Sequence, residues 1–182
     1  YAIEVRSAND AAVAVAEAIS GTQGEFVNRM NNKATELGMF NTYFKDCTGL
    51  TDAGHYSTVK DISIIATRLV LEYPDIFEFS RTLEKDFRDK EHRDYQYMVN
   101  RNNLLNYYDG ATGLKTGFTT AAGYCLVGSA QKTDISLVAI VAGEPDNNHR
   151  VAETAFLLDY GFSNFMYTKT DDDQKMVGTI EV

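Results

Sequence analysis

The chain has 182 residues, 44% of them hydrophobic and 24% charged, with 17 Lys and Arg against 26 Asp and Glu for a formal charge of −9. That is enough chain for one domain with a real core, in the composition of an ordinary globular protein. The acidic balance argues against nucleic acid, whose binders carry a basic patch, and it supplies no basic helix for an anionic membrane surface.

No apolar run approaches the length that crosses a bilayer, and no signal peptide is visible. The first residue is Tyr1 rather than Met, and Tyr1 to Val5 enters in the middle of an apolar pattern, so the sequence reads as a piece of a longer protein. Cys47 and Cys125 make no disulfide framework, and Cys125 is expected as a small buried apolar residue of a strand. His55, His92 and His149 lie far apart and no Cys-x-x-Cys occurs, so neither a metal nor a cofactor is expected.

In chain order, Ser7-Ala8-Asn9-Asp10 opens a helix over Ala11 to Ile19 that is small and apolar nearly all round, a pattern that predicts burial; Ser20-Gly21 ends it. A second helix runs from Glu25 to Leu37, with Phe26, Met30, Ala34 and Leu37 on one face and Gly38 as its cap. Residues 39–56 read as loop, with turn signals at Cys47-Thr48-Gly49-Leu50 and Asp52-Ala53-Gly54-His55. A third helix starts near Ser57-Thr58, buries Ile62, Ile65, Ala66, Leu69 and Val70, and is limited by Pro74. A short helical turn follows over Asp75 to Ser80.

Thr82–Phe87 and Tyr95–Val99 read as short strands around a charged turn, and Asn100 to Leu105 as a polar corner before a loop. Longer strands follow at 113–118, 123–131 and 135–142. Thr120-Ala121-Ala122 turns the first into the second, and Lys132-Thr133-Asp134 joins the last two as a hairpin. A helix is expected from about His149 to Tyr160, stopped by Gly161. Lys169 to Gln174 reads as a polar linker, and Met176 to Val182 alternates like the first strand of a further domain. Helices early, strands late and a closing helix predict an α+β fold, an antiparallel sheet with helices on its faces.

Two short motifs carry candidate chemistry. In Ser7-Ala8-Asn9, Ser and Asn are preferred N-caps and either could cap the helix that follows; alternatively a hydroxyl and a carboxamide face a cleft from the helix mouth. In Lys115-Thr116-Gly117, Lys supplies a strongly hydrated point charge, Thr a hydroxyl, and Gly room for another backbone. An edge strand of this kind pairs an extended peptide by main-chain hydrogen bonds and holds its carboxylate, although Lys on an edge strand also serves to block aggregation. Alternation puts Lys115 and Gly117 on one face and Thr116 on the other, so all three serve one site only if it wraps the strand edge. Ser-x-Asn and Lys-Thr-Gly are two of three elements found together in penicillin-binding proteins and class A β-lactamases; the third is Ser-x-x-Lys, which carries the acylated nucleophile.

At these motifs the chain resembles the low-molecular-mass penicillin-binding proteins that are serine-type D-alanyl-D-alanine carboxypeptidases (peptidase S11-like). The similarity spans Ser7 to Ala12, Leu37 to Thr42, Thr48-Gly49-Leu50, His55 to Thr58, Asn100-Arg101-Asn102, Gly113 to Gly117, Ala122-Gly123-Tyr124 and the helix from Arg150 to Phe162. It implies a β-lactamase/transpeptidase-like fold, with residues 1–168 as the C-terminal part of the catalytic domain and 169–182 as a linker and the first strand of a following β domain. It implies that Ser7, Asn9 and Lys115 are catalytic. Thr116, Gly117, Phe118 and Thr119 would line the substrate strand, and Arg150 and His55 would bind substrate, with Arg101 near the cleft. The implied ligands are the peptidoglycan pentapeptide and β-lactam antibiotics, and the implied location is the extracellular face of the bacterial cytoplasmic membrane or the cell wall. Many relatives carry His where Phe118 stands.

In that family Ser-x-x-Lys precedes Ser-x-Asn. Ser57-Thr58-Val59-Lys60 and Ser129-Ala130-Gln131-Lys132 both follow it, the first reading as a helix start and the second as a strand end. The nucleophile is therefore expected from a missing N-terminal segment of the same domain. A class A β-lactamase would carry a Glu-containing loop that positions the deacylating water, which is not identifiable here, and a non-catalytic wall-binding relative would lack Ser-x-x-Lys altogether.

Overall fold

Apolar and β-branched residues recur through residues 111–144 with two turn signals between them, and this stretch folds into one antiparallel sheet. The computed structural model describes residues 1–133 and 135–168. The sheet comprises β3 (Ala111–Thr119), β4 (Gly123–Lys132) and β5 (Ile135–Glu144), in the order β3-β4-β5. The turn between β3 and β4 falls at Thr120 to Ala122 as expected, and β4 runs to Lys132 and β5 from Ile135. Ahead of the sheet come α1 (Ala2–Arg6), α2 (Asn9–Ser20), α3 (Gln23–Glu36), α4 (Val59–Glu72), α5 (Ile76–Ser80), the two-stranded ribbon of β1 (Glu84–Phe87) and β2 (Gln96–Val99), and α6 (Leu104–Tyr107); α7 (Asn147–Asn164) closes the described chain. The predicted linker and strand at 169–182 lie outside the described residues.

Local chemistry sets the helix starts. The Thr22 hydroxyl accepts from the Glu25 amide at 3.2 Å and the Thr58 hydroxyl from the Asp61 amide at 3.1 Å, each satisfying one of the free N–H groups of a first turn. Asp146 accepts from the Asn148 and His149 amides at 2.8 and 2.9 Å, so α7 begins two residues before the expected His149.

The core lies between the sheet and α7, where Leu126, Ala130, Ala139 and Val141 meet Leu158 and Leu104 of α6. Two glycines permit the close approach. A Cβ at Gly128 of β4 would stand 2.3 Å from Thr154 Cγ2 and 3.0 Å from Leu104 Cδ2. Gly161 was expected to stop the last helix, but it is a buried residue inside α7, against Leu137 of β5. A glycine can mark a helix end or a tight contact, and here packing decides.

Other expectations also change. The Ala11–Ile19 helix is not buried all round: only Ala16 is inside, and Val15 and Ile19 are exposed, because the elements packed against it, chiefly α1 and α3, leave part of its surface to solvent. The polar corner at Asn100 to Leu105 runs into α6, which begins at Leu104. Cys125 is half-buried rather than buried. Gly128→Ala forces a methyl into the β-branched Thr154, and such overpacking costs about 1–3 kcal/mol. Its urea midpoint should fall with an unchanged m value, and an unshifted midpoint would contradict the packing described.

Candidate active site

The site begins with a backbone conformation. Ser7 ends α1 at φ 57°, ψ 46°, its amide bonded to the Ile3 carbonyl at 3.1 Å. A side chain in this left-handed region costs about 1–2 kcal/mol, and the conformation turns the chain sharply so that α2 begins two residues later. Neither Ser7 nor Asn9 caps that helix. The N-cap is Ala8, with no side-chain hydrogen bond, and Asn9 is the first helical residue. The capping account of Ser-x-Asn therefore does not hold, and both side chains line a cleft of about 660 Å³.

Across the cleft, Lys115 of β3 donates its ammonium to the Ser7 hydroxyl, 108 residues away in sequence, and to the Thr116 carbonyl at 3.0 Å. Among the described residues β3 is a sheet edge, paired with β4 alone in a register that sets Lys115 beside Val127, Gly117 beside Cys125 and Phe118 beside Tyr124. Thr116, Gly117, Phe118 and Thr119 form one cleft wall, and Cys47 to Leu50 of the long loop form the other. A second cavity, of about 630 Å³, shares Lys115, Thr116 and Gly117 with the cleft and is otherwise mostly apolar, with Val59, Ile62, Leu126 and Ile140 in its lining. The site thus wraps the strand edge as the alternation argument requires.

Three cations line the cleft, Lys115, Arg101 and Arg150, against one acid, Glu4. Burial pushes the Lys115 ammonium below its ordinary pKa; the Glu4 carboxylate opposes that shift, while Arg101 and Arg150 add to it. Burial raises the Glu4 carboxyl in turn, with Lys115 pulling it back. The arrangement is a desolvated, net positive pocket with a polarised hydroxyl, suited to holding a carboxylate and to moving a proton at Ser7.

Arg101 sits between two buried asparagines. Asn100 donates to the Ser80 and Thr82 carbonyls at 3.3 and 2.9 Å and accepts from the Asn102 amide at 2.9 Å, and Asn102 accepts from the Leu104 amide at 3.1 Å. Arg150 also reaches the cleft, but most of its donors are engaged. Nη1 donates to the Gly117 and Cys125 carbonyls at 3.1 and 3.3 Å, and Nε and Nη2 donate to Asn147 Oδ1 at 2.9 and 2.6 Å. Of its five N–H groups, one on Nη2 is left for a ligand. The guanidinium therefore ties β3 to β4 beside the cleft more than it faces substrate. His55 does not line the cleft; it stands behind the Cys47–Leu50 wall, its Nδ1 3.4 Å from Asp46 Oδ2.

Neither of the two later Ser-x-x-Lys matches brings its Lys to its Ser. The Ser57 hydroxyl shares a 2.8 Å hydrogen bond with Thr42 while Thr58 caps α4. Ser129 is buried against the Thr112 hydroxyl at 2.6 Å, and Lys132 donates to the Tyr108 hydroxyl at 3.2 Å. Sequence reasoning missed Glu4, although its position three residues before Ser7 places the two on one helical face. Glu4→Gln removes the carboxylate that supports charge on Lys115, so Lys115 should titrate at lower pH than in the unsubstituted chain. Lysine-selective NMR reads this directly, and an unmoved titration would remove Glu4 from the electrostatics of the site.

With this geometry in place, comparison with known proteins gives consistent matches. The family model described as D-alanyl-D-alanine carboxypeptidase (Peptidase_S11) matches residues 1–146. The chain is 44% identical over 163 residues to D-alanyl-D-alanine carboxypeptidase DacF of Bacillus subtilis, covering 90% of this chain and 41% of that protein. It is 38% identical over 166 residues to D-alanyl-D-alanine carboxypeptidase DacA of Escherichia coli (strain K12), covering 90% and 39%. Among solved structures, penicillin-binding protein 6B from Escherichia coli superposes with a TM-score of 0.84 at 31% identity, covering 96% of this chain and 53% of that one. Penicillin-binding protein D2 from Listeria monocytogenes in its cefotaxime-bound form gives 0.78 at 32% identity, covering 88% and 64%. The chain spans about two-fifths of the length of the curated relatives it matches.

Proposed function

The chain belongs to the D-alanyl-D-alanine carboxypeptidase family, and on that premise we propose that the whole protein removes the terminal D-Ala from peptidoglycan stem peptides through an acyl-enzyme. The observation that carries this reading is the Lys115–Ser7 hydrogen bond midway along an edge strand, inside a net positive cleft.

In this reading the peptide lies extended along β3 and pairs with its free edge, in the manner of strand addition. Its terminal carboxylate meets the charge of Lys115 and Arg101 and the hydroxyls of Thr116 and Thr119, with the remaining Nη2 hydrogen of Arg150 within the same cleft. The Asn9 carboxamide orients the scissile amide, and Phe118 flanks the strand. A Ser-x-x-Lys segment that precedes this chain in the whole protein supplies the nucleophile and seats in the apolar cavity beside Lys115, Thr116 and Gly117. Its serine oxygen forms the ester bond to the penultimate D-Ala carbonyl as the amide C–N bond breaks. The serine proton passes through Ser7 to the leaving D-Ala nitrogen, with Lys115 holding the Ser7 hydroxyl in place. Water then hydrolyses the ester, returning the serine and the shortened peptide. Two backbone amides, one at the nucleophile and one near Phe118–Thr119, stabilise the tetrahedral oxyanion.

A β-lactam acylates the same serine, which fits the cefotaxime and ampicillin complexes of the Listeria monocytogenes relative. Residues 1–168 then form the C-terminal part of the catalytic domain, followed by a linker into a further β domain. The protein acts in peptidoglycan biosynthesis and cell shape at the extracellular face of the bacterial cytoplasmic membrane, where its substrate lies.

The whole protein should release D-alanine from an acyl-D-Ala-D-Ala peptide. Removing an electrostatic group aimed at the reacting atoms costs about 10²–10³ in rate, so Lys115→Ala should slow acylation on that order while the thermal midpoint stays near that of the unsubstituted protein. Release of D-alanine at an undiminished rate by the variant would remove Lys115 from the chemistry. No release by the unsubstituted protein would sink the carboxypeptidase reading.

A further inference from the structure

The cleft wall opposite β3 is held by side chains that do not line the cleft. Tyr43 and Tyr56 close the base of the long loop through backbone hydrogen bonds of 2.9 and 3.1 Å. Asn31 of α3 grips the Phe44 backbone from both sides, donating to its carbonyl and accepting from its amide, each at 2.8 Å. Inside this frame a single carboxylate oxygen organises the tip. Asp46 Oδ1 accepts from the Thr48 amide at 2.5 Å, the Gly49 amide at 2.7 Å and the Thr48 hydroxyl at 2.8 Å. Thr48 and Gly49 both line the cleft. Desolvation raises the Asp46 carboxyl, and the donors from Thr48 and Gly49, with His55 nearby, outweigh it and hold the group below its ordinary pKa.

The other oxygen, Asp46 Oδ2, faces His55. Their 3.4 Å separation lies beyond hydrogen-bond geometry and within reach of an ion pair. His55 Nδ1 is shielded from solvent with no hydrogen-bond partner among the described residues. The ring is fixed edge-on against Phe44, with centroids 5.9 Å apart and planes at 86°, and the His55 amide donates to the Asp52 carbonyl at 3.0 Å. A shielded ring nitrogen aimed at a carboxylate that already carries three bonds costs stability unless the two groups act together.

We propose that Asp46 and His55 are positioning residues for the cleft: Asp46 gathers Thr48 and Gly49 into the wall, and His55 holds the Asp46 carboxylate from behind. This deepens the carboxypeptidase reading and, for its kinetic consequence, rests on it. The wall faces Thr116 to Thr119 across the bound peptide, so the pair sets the width of the cleft without touching substrate. A loosened wall weakens the hold on the peptide before it affects the reacting atoms, which separates this role from a general loss of folded enzyme.

The test uses the whole protein with His55→Ala and His55→Asn, the amide nitrogen of Asn standing in for Nδ1. Misplacement of binding groups by about an ångström changes efficiency by one to two orders of magnitude, so His55→Ala should raise KM for the D-Ala-D-Ala peptide about tenfold with kcat little changed, and His55→Asn should restore most of it. Hydrogen exchange at the Thr48 and Gly49 amides should quicken in His55→Ala while the Tyr43 and Tyr56 amides keep their rates. An unchanged KM in His55→Ala, an equal loss in both variants, or equal quickening at all four amides would overturn the proposal. If the unsubstituted protein does not turn over the peptide, the carboxypeptidase reading fails, and the exchange pattern alone decides the role of the pair.

Discussion

The hydrogen bond from Lys115 to Ser7 is the constraint on which the rest of the site depends. It spans 108 residues and ties the first helical corner of the chain to an edge strand of the sheet. For it to form, Ser7 must hold a left-handed conformation that side chains resist, Lys115 must accept burial that disfavours its charge, and β3 must keep one edge open. Each is locally unfavourable, and such costs persist only where the surrounding structure over-determines them. Here α1, the Asn100–Asn102 corner and the Arg150 tie between β3 and β4 supply that support.

The sheet was legible in the sequence because its signals are local. Strand alternation and turn residues sit within a few positions of one another, so β3, β4 and β5 fall where the pattern puts them. The misreadings share a different origin. Gly161 has the residue type of a helix stop, yet only its contact with Leu137 explains it. The four residues of α6 are too few to show a period. Ser7-Ala8-Asn9 fits a cap as well as a pair of cleft residues by local rules, and only φ at Ser7 and its partner 108 residues on turn it into the cleft.

The candidate site divides along the same line. Ser7, Asn9 and Lys115 to Gly117 were found by motif, and they share one cleft with Phe118 and Thr119, which the resemblance added. His55 and Arg150 were found by family resemblance, which marks a position without saying which way its side chain works: one stands behind a wall, and the other spends two donors on backbone carbonyls and two on the Asn147 side chain. Glu4 carried no motif and emerged only from the fold, and Cys47–Leu50, marked in the sequence as a turn and a stretch of resemblance, gained its place in the cleft only there. Of the cleft's four charged residues, Glu4 is therefore the one that neither motif nor resemblance supplied.

We propose that this chain supplies the wall, the charge and the proton relay of an acyl-transfer site, and that a segment outside its 182 residues supplies the nucleophile. Peptide mapping of the whole protein after reaction with benzylpenicillin tests that division most directly. The account predicts a single penicilloyl adduct on a serine of a Ser-x-x-Lys segment that precedes Tyr1. An adduct on Ser7, Ser57 or Ser129 would contradict it.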